Sequence, residues 1–486
     1  MIPTPALQFE PVLPELILVG VGIVALLLDA LVKQTKPVTL LFLCLAGIAG
    51  AAAATLELWD WTGPVTVLGN TVAVDRFTVV ARLVILGTAA MGAIYGLVYF
   101  ERSREFRGEF FALLLFATSG MTLITAAADL ILVFLALEIL SLSLYVLTGS
   151  SARLSSSEGA MKYFLLGAFS SAFFLYGIAL SYGATGSTKI LDIVHALSGT
   201  TGSSALALTA IALLAVGFAF KVSAVPFHMW TPDVYQGAPT AVTAYMSAAT
   251  KVAAFAALIR VFDVAFFPLS WDWTPLIWGL AAGSVVVGSV LAIAQSDIKR
   301  MLAYSSIAQA GFILTGLVAA NQDGIQAALF YLIAYAVMVL GAFGVVMLVS
   351  GRGERGTSLS AYSGLARVRP GLAALMTLFL LSLAGIPPTA GFIAKVDVFG
   401  AAIRAGHWPL VLIGVLGSVV AAFFYLRVVV LMYMEAPVEE ETLPAADVPP
   451  AAAALPLLVP AVLTLLLGVF PEVVLGFLRQ AAILRW

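Results

Sequence analysis

The chain has 486 residues, 62% of them hydrophobic and only 10% charged, with a mean hydropathy of +1.07 and a formal net charge of −2. Soluble domains carry about 25% charged residues, so the composition is that of a polytopic membrane protein. With no basic excess and no block of like charge, nucleic-acid partners are excluded.

Cys44 is the only cysteine, which excludes an intrachain disulfide and a thiolate set for an iron–sulfur cluster. The opening stretch MIPTPALQFEPVLPE has no basic region ahead of a short apolar core. The first apolar run is therefore expected to remain as a spanning helix rather than a cleaved leader.

At about 20 apolar residues per crossing, the chain predicts helices over 14–32, 38–58, 77–100, 109–127, 129–149, 159–183, 204–225 and 238–259. Six more follow over 275–294, 297–319, 324–350, 371–400, 408–433 and 452–477, which makes fourteen. An even number puts both termini on one side, and the Lys/Arg distribution selects which. With the termini outside, the cytoplasmic loops hold Lys33, Lys36, Arg102, Arg104, Arg107, Arg153, Lys299, Arg300, Arg352, Arg355, Arg367 and Arg369. The outer side holds only Arg76, Lys189, Arg260, Arg404, Arg479 and Arg485, so both termini are expected outside.

The longest connections, near 57–76, 184–203, 351–370 and 434–451, are too short for a separate domain, so 1–486 reads as a single membrane domain. The last of them, with Glu435, Glu439, Glu440, Glu441 and Asp447, reads as an acidic, Pro-rich, solvated connector. GRGERG at 351–356 matches a dinucleotide-type glycine pattern, but no strand precedes it and no βαβ unit surrounds it. It reads as a cytoplasmic loop.

The informative residues are the charges inside the spans, because ionisable groups at membrane depth are costly and mark ion or proton paths. Glu138 lies mid-way along the fifth segment, DLILVFLALEILSLSLYVLTG, too deep to anchor at an interface. Lys251 is equally central in AYMSAATKVAAFAALIR, where small residues allow close helix approach. Lys221 precedes Pro226 in AFKVSAVPFHMWTPDVYQGAP, and the apolar stretch runs on through Phe227, Met229 and Trp230. That pattern predicts a broken helix, whose freed carbonyls face a polar cavity.

The twelfth segment repeats it: LSLAGIPPTAGFIAKVDVFG places Pro387 and Pro388 ahead of Lys395, with Gly385 and Gly391 alongside. Two breaks five helices apart predict two inverted five-helix units, helices 4–8 (109–259) and 9–13 (275–433). Helices 1–3 (1–108) precede them and the fourteenth (452–486) follows. His228 beside the first break fits a proton relay and a cap on freed carbonyls equally, whereas His195 and His407 read as loop residues. Lys162 is open between pairing with Glu138 and reaching the cytoplasmic face. Arg82 and Asp29 read as interfacial. Ser305, Ser306 and Gln309 supply polar groups between the charges.

PELILVGVGIVALLLDA, LALEILSLSLYVL, KYFLLGAFSSAFFLYG, FKVSAVPFHMWTPDVYQGAPT, KRMLAYSSIAQAG and LSLAGIPPTAGFIAKVDVF together resemble the antiporter-like membrane subunits of proton-pumping NADH:quinone oxidoreductase, respiratory complex I. The resemblance covers nearly the whole chain and is nearest to the subunit N type. Lysine at 395 argues against subunit M, and the chain's end soon after the fourteenth helix against subunit L. The resemblance implies a proton route through Glu138, Lys221, Lys251 and Lys395, with His228 and Lys162 as further candidates.

It also implies no cofactor in this chain, with flavin, iron–sulfur clusters and quinone in partner subunits. Expected partners are other membrane subunits, including neighbouring antiporter-like ones, together with lipid and protons. The implied location is an energy-transducing membrane, the bacterial inner membrane. Many relatives have histidine where Gln309 stands, and Gln309 cannot titrate. Competing readings are a subunit of a multisubunit sodium/proton antiporter, a ferredoxin-fed relative of the same complex, and a non-pumping scaffold.

Overall fold

A computed structural model describes residues 8–32, 36–63, 65–103, 108–199, 204–351, 354, 356–437 and 450–484. Lys33, Arg104, Arg107, Arg352, Arg355 and Arg485, on which part of the charge asymmetry rests, lie outside the described residues. So do Glu439, Glu440, Glu441 and Asp447 of the acidic connector.

The helices, in order, are α1 Leu13–Leu31, α2 Pro37–Glu57, α3 Arg76–Ser103, α4 Glu109–Ala126, α5 Leu130–Thr148 and α6 Leu154–Thr185. Next come α7 Ile190–Ser198, α8 Ala205–Val222, α9 Trp230–Gly237, α10 Thr240–Arg260, α11 Ser270–Ile293, α12 Ile298–Leu317 and α13 Gln322–Ser350. The last are α14 Leu365–Val368, α15 Pro370–Ala384, α16 Ala390–Arg404, α17 Trp408–Met434, α18 Pro450–Val469 and α19 Glu472–Ala481. Among the described residues the fold is helical apart from a short antiparallel pair, β1 Thr66–Val67 and β2 Val72–Ala73, and isolated bridges.

Among the described residues, eleven helices are long and apolar enough to cross a membrane singly, and the bent pair α18–α19 makes twelve. The expected fourteen exceeds this for two physical reasons. Helix α12 carries Lys299, Arg300, Tyr304, Ser305, Ser306 and Gln309 within 20 residues, which makes it polar. Helices α15 and α16 have 15 residues each, about 22 Å at 1.5 Å per residue, and neither alone spans a core about 30 Å thick.

Three local expectations are corrected. The segment over 452–477 is two helices meeting at 82°, because Pro471 interrupts the run between α18 and α19. The connections near 57–76 and 184–203 hold the β1–β2 pair and α7, so His195 sits on a helix rather than in a loop. Helix α10 runs on as a π-helical turn, Val261–Ala265. Arg82, expected at the interface, is buried within the bundle: it pairs with Glu15 of α1 at 2.9 Å and donates to the Pro11 carbonyl.

The core sits around α10, α12 and α13. Every residue of α10 is buried, and it packs on α3, α4 and α13. One rim of the bundle holds Arg153, Asp233, Lys299, Arg300 and Glu354; the opposite rim holds Asp75, Arg76, Arg260, Asp323, Arg404 and Arg479. On the latter, fully buried Arg260 grips Asp75 through two bonds of 2.7 and 3.1 Å and also donates to Thr78 and to the Thr125 carbonyl. This ties α10 to the start of α3 and the end of α4.

Burial pushes the Asp75 carboxyl up, but Arg260 and the Thr78 amide outweigh burial and hold it below its ordinary range. The pair's contribution to stability is therefore complete above the unfolded carboxyl value near 3.9 and is lost as pH falls through the lower folded value. Asp75→Asn strands a buried guanidinium and should cost about 3–5 kcal/mol. Thermal unfolding of the purified chain or complex checks this. The variant's deficit should shrink in acid, where the native pair is lost as well.

Candidate functional site

Both breaks are built the same way. Helix α8 ends on Ser223, in the left-handed region at φ 65°, and α15 ends on Gly385 at φ 87°. Each is followed by proline, Pro226 or Pro387–Pro388, which removes the N–H that would continue the ladder. The carbonyls at a helix C-terminus have no partner within the helix and carry its partial negative charge. At the first break, Phe220 O accepts from the Trp230 indole at 2.9 Å, and Val222 O accepts from Lys251 Nζ at 3.2 Å. At the second, Leu383 O accepts from Gln309 Nε2 at 3.0 Å, and Ala384 O from Lys395 Nζ at 2.8 Å. Each break thus seats an ammonium on its helix end.

The three lysines share one kind of environment. All are buried. Lys221 donates to Ser141 Oγ at 2.8 Å and the Tyr163 hydroxyl at 3.3 Å, with Nζ 5.3 Å from the Tyr163 ring centre. Lys251 donates to the carbonyls of Val222 and Ser306, with Nζ 5.4 Å from the Tyr335 ring. Lys395 has its single carbonyl partner and lies 4.6 Å from the Phe312 ring. Carbonyl oxygens and ring faces attract a cation. None of the three forms an ion pair with a described carboxylate, so proton loss from any of them orphans no anion.

Glu138 occupies the flank of the bundle. On α5 its neighbours Leu135, Ile139 and Leu142 are exposed, and the carboxylate is half-exposed and accepts from Ser171 Oγ. Lys221 does not reach it directly: Ser141, one turn on along α5, takes the ammonium instead. A crevice of about 10 Å³, room for one water centre, is lined by Ser141, Tyr145, Ser171 and Lys221. Ser171, the donor to Glu138, and Lys221 both line it.

Beyond Lys251 the interior is polar. Tyr335 donates to Ser306 Oγ at 2.8 Å, Ser305 shares a hydrogen bond with Tyr425, and Tyr331 donates to Gln309 Oε1. Gln309 also donates to the Tyr425 hydroxyl at 3.3 Å. Its amide thereby orients two tyrosines and pins the end of α15. That is a structural use of a side chain that accepts and donates without titrating.

The two further candidates lie off this row. Lys162 pairs with Glu158 and Asp233, both at 2.7 Å, so of its two expected uses the rimward one is observed. His228 is half-buried, its Nδ1 has no partner, and its carbonyl accepts from Thr231 N–H in the turn leading into α9. The structure brings Lys251 and Lys395 onto helix ends and all three lysines near ring faces; it does not bring Lys162 or His228 to them.

Sequence reading missed Ser141, Tyr163, Tyr335 and Asp233. The first three had a signal, since Ser141 lies one turn from Glu138 and aromatic residues recur in the helices facing the lysines. Among the described residues no group of three or more His, Cys, Asp and Glu could hold a metal ion.

Comparison with known proteins places the sequence and the fold in a family. Residues 127–421 match the family model described as NADH:quinone oxidoreductase/Mrp antiporter, TM. The NADH-quinone oxidoreductase subunit N of Rhodococcus opacus is 44% identical, covering 99% of this chain and 97% of that protein. The subunit N of Acidothermus cellulolyticus is 43% identical over the same shares. A chain of respiratory complex I from Thermus thermophilus with bound aureothin superposes with a TM-score of 0.81 at 38% identity, covering 95% of this chain and 98% of that one. A chain of the Mrp complex from Dietzia sp. shares the fold alone, with a TM-score of 0.84 at 23% identity, covering 98% and 97%. The chain belongs to the NADH:quinone oxidoreductase/Mrp antiporter membrane family, on the subunit N branch that these relatives represent.

Proposed function

We propose that this chain is a proton-translocating membrane subunit of NADH:quinone oxidoreductase and moves protons along Glu138, Lys221, Lys251 and Lys395. The observation that carries the reading is the seating of Lys251 and Lys395 on the freed carbonyls of two broken helices. A carboxylate near an amine favours its protonated form, and a second ammonium disfavours it. Quinone reduction elsewhere in the complex changes the charge at the Glu138 end, Lys221 responds, and the proton passes to or from Lys251. Lys395 then links to the outer face or to a neighbouring subunit. The role is non-redox, with flavin, iron–sulfur clusters and quinone held by partner subunits.

In this reading the chain crosses fourteen times, the polar α12 and the joined halves α15–α16 adding to the twelve apolar crossings. Helices 4–8 and 9–13 form inverted repeats, and the matching construction of the two breaks supports that. Both termini face the periplasm, with the rim of Arg153, Lys299 and Arg300 cytoplasmic. The family match also supports a subunit of a multisubunit sodium/proton antiporter. Copurification with flavin and iron–sulfur subunits distinguishes the two.

Lys251→Ala and Glu138→Gln, measured as protons pumped per electron in sealed membrane vesicles, test the row. Losing a positioned proton carrier slows the step it serves by about a hundredfold or more, read here as lost pumping. Full pumping in both variants overturns the reading.

Gly385→Ala is a gentler probe. A Cβ there would stand 2.8 Å from Lys395 Cδ in a left-handed backbone, a strain of about 1–3 kcal/mol. Pumping should fall while the complex still assembles. Gly371→Ala, in open space within the same helix, should leave pumping unchanged.

A further inference from the structure

A second buried charge cluster lies outside the lysine row, at the rim. Glu354, between α13 and α14, is 6% exposed and has φ 56°, a conformation that residues with a side chain rarely adopt. Its Oε1 accepts from the Thr240 backbone N–H at 2.7 Å and from Thr240 Oγ1 at 2.9 Å, which caps the first residue of α10. Its Oε2 takes Lys299 Nζ at 2.7 Å and an Arg153 guanidinium nitrogen at 3.0 Å.

The two cations reach past it to the same joint. Lys299 also donates to Ala238 O at 2.6 Å and Arg153 to Gly237 O at 3.1 Å, at the end of α9 and the joint into α10. One carboxylate thus binds the α5–α6 loop, the start of α12 and the start of α10. It forms part of the wall of a cavity of about 400 Å³ that opens at this rim, beside Asp233, Lys162 and Arg300.

The consequence lies further along α10. Lys251 is eleven residues beyond Thr240, about 16 Å along the helix, and its ammonium donates to Ser306 O of α12. Ser306 is in turn two turns beyond Lys299. The axial position of α10 relative to α12 therefore decides whether Lys251 reaches across to that carbonyl, and Glu354 is bonded to the first turn of both helices.

We propose that Glu354 is a positioning residue for proton transfer at Lys251, its carboxylate fixing the axial position of α10 relative to α12. This rests on the reading of Lys251 as a proton carrier. Burial pushes the Glu354 carboxyl up, but Lys299 and Arg153 outweigh burial and keep it below the ordinary range, so the fixing charge persists at neutral pH. A displacement of about 1 Å at a reacting group is enough to slow a transfer step strongly.

The test uses the assembled complex in sealed vesicles. Glu354→Gln retains an oxygen for Thr240 and removes the charge that holds Lys299 and Arg153. Pumping per electron should fall at least about twofold with complex abundance and electron transfer retained, and Glu354→Asp should recover part of the loss. A purely architectural role would lower abundance and electron transfer together with pumping.

Full pumping per electron in Glu354→Gln overturns the proposal. If that variant does not accumulate, Lys299→Gln decides: the same selective fall supports the proposal, and full pumping or failure to assemble overturns it. Lys251→Ala is measured alongside. If it pumps fully, the carrier reading falls and the positioning role with it; if it loses pumping while Glu354→Gln does not, only the positioning role falls.

Discussion

The structure depends on one constraint: a backbone carbonyl inside a membrane protein needs a partner, and a broken helix leaves several without one. Here the partners are side chains from other helices. The ends of α8 and α15 are completed by an indole, an amide and two ammonium groups. The breaks and the lysines are therefore mutually required. Remove Lys251 or Lys395 and a helix end loses a donor; heal a break and one of these two lysines loses its seat.

The packing follows from the same requirement. A helix that carries a cation at membrane depth cannot lie against lipid, and α10, which carries Lys251, is buried along its whole length. Helix α12, which supplies the Ser306 carbonyl and Gln309, is likewise interior and too polar to count as a crossing by hydropathy. Apolar flanks are left to α1, α6, α11 and α17, with their exposed leucine, valine and phenylalanine residues. The bundle thus keeps α10 and the polar α12 inside, together with the apolar α13.

What could be read from sequence was what a single stretch contains. Lys221 with Pro226, and Lys395 with Pro387 and Pro388, announce costly residues beside backbone breaks, and both breaks are present. What could not be read was which distant group completes each one. Nothing local says that Glu15 neutralises Arg82, that Asp75 holds Arg260, or that Lys221 binds Ser141 in preference to Glu138. Hydropathy alone also ran α18 through Pro471, because apolar composition carries no information about direction. Glu354 escaped notice for a related reason. It sits in a glycine- and arginine-rich loop whose local pattern reads as solvated, and only the fold places it on the starts of two helices.

Glu138 gives the isolated chain an unfinished side. Its carboxylate has one serine donor and stands on a face whose other residues are Leu135, Ile139 and Leu142. Hydrocarbon against that face would leave an anion with most of its hydration unreplaced. A lipid-facing flank and a working carboxylate are incompatible there. In the proposed charge row Glu138 is thus the group with the least cover among the described residues, on a face better suited to protein than to hydrocarbon.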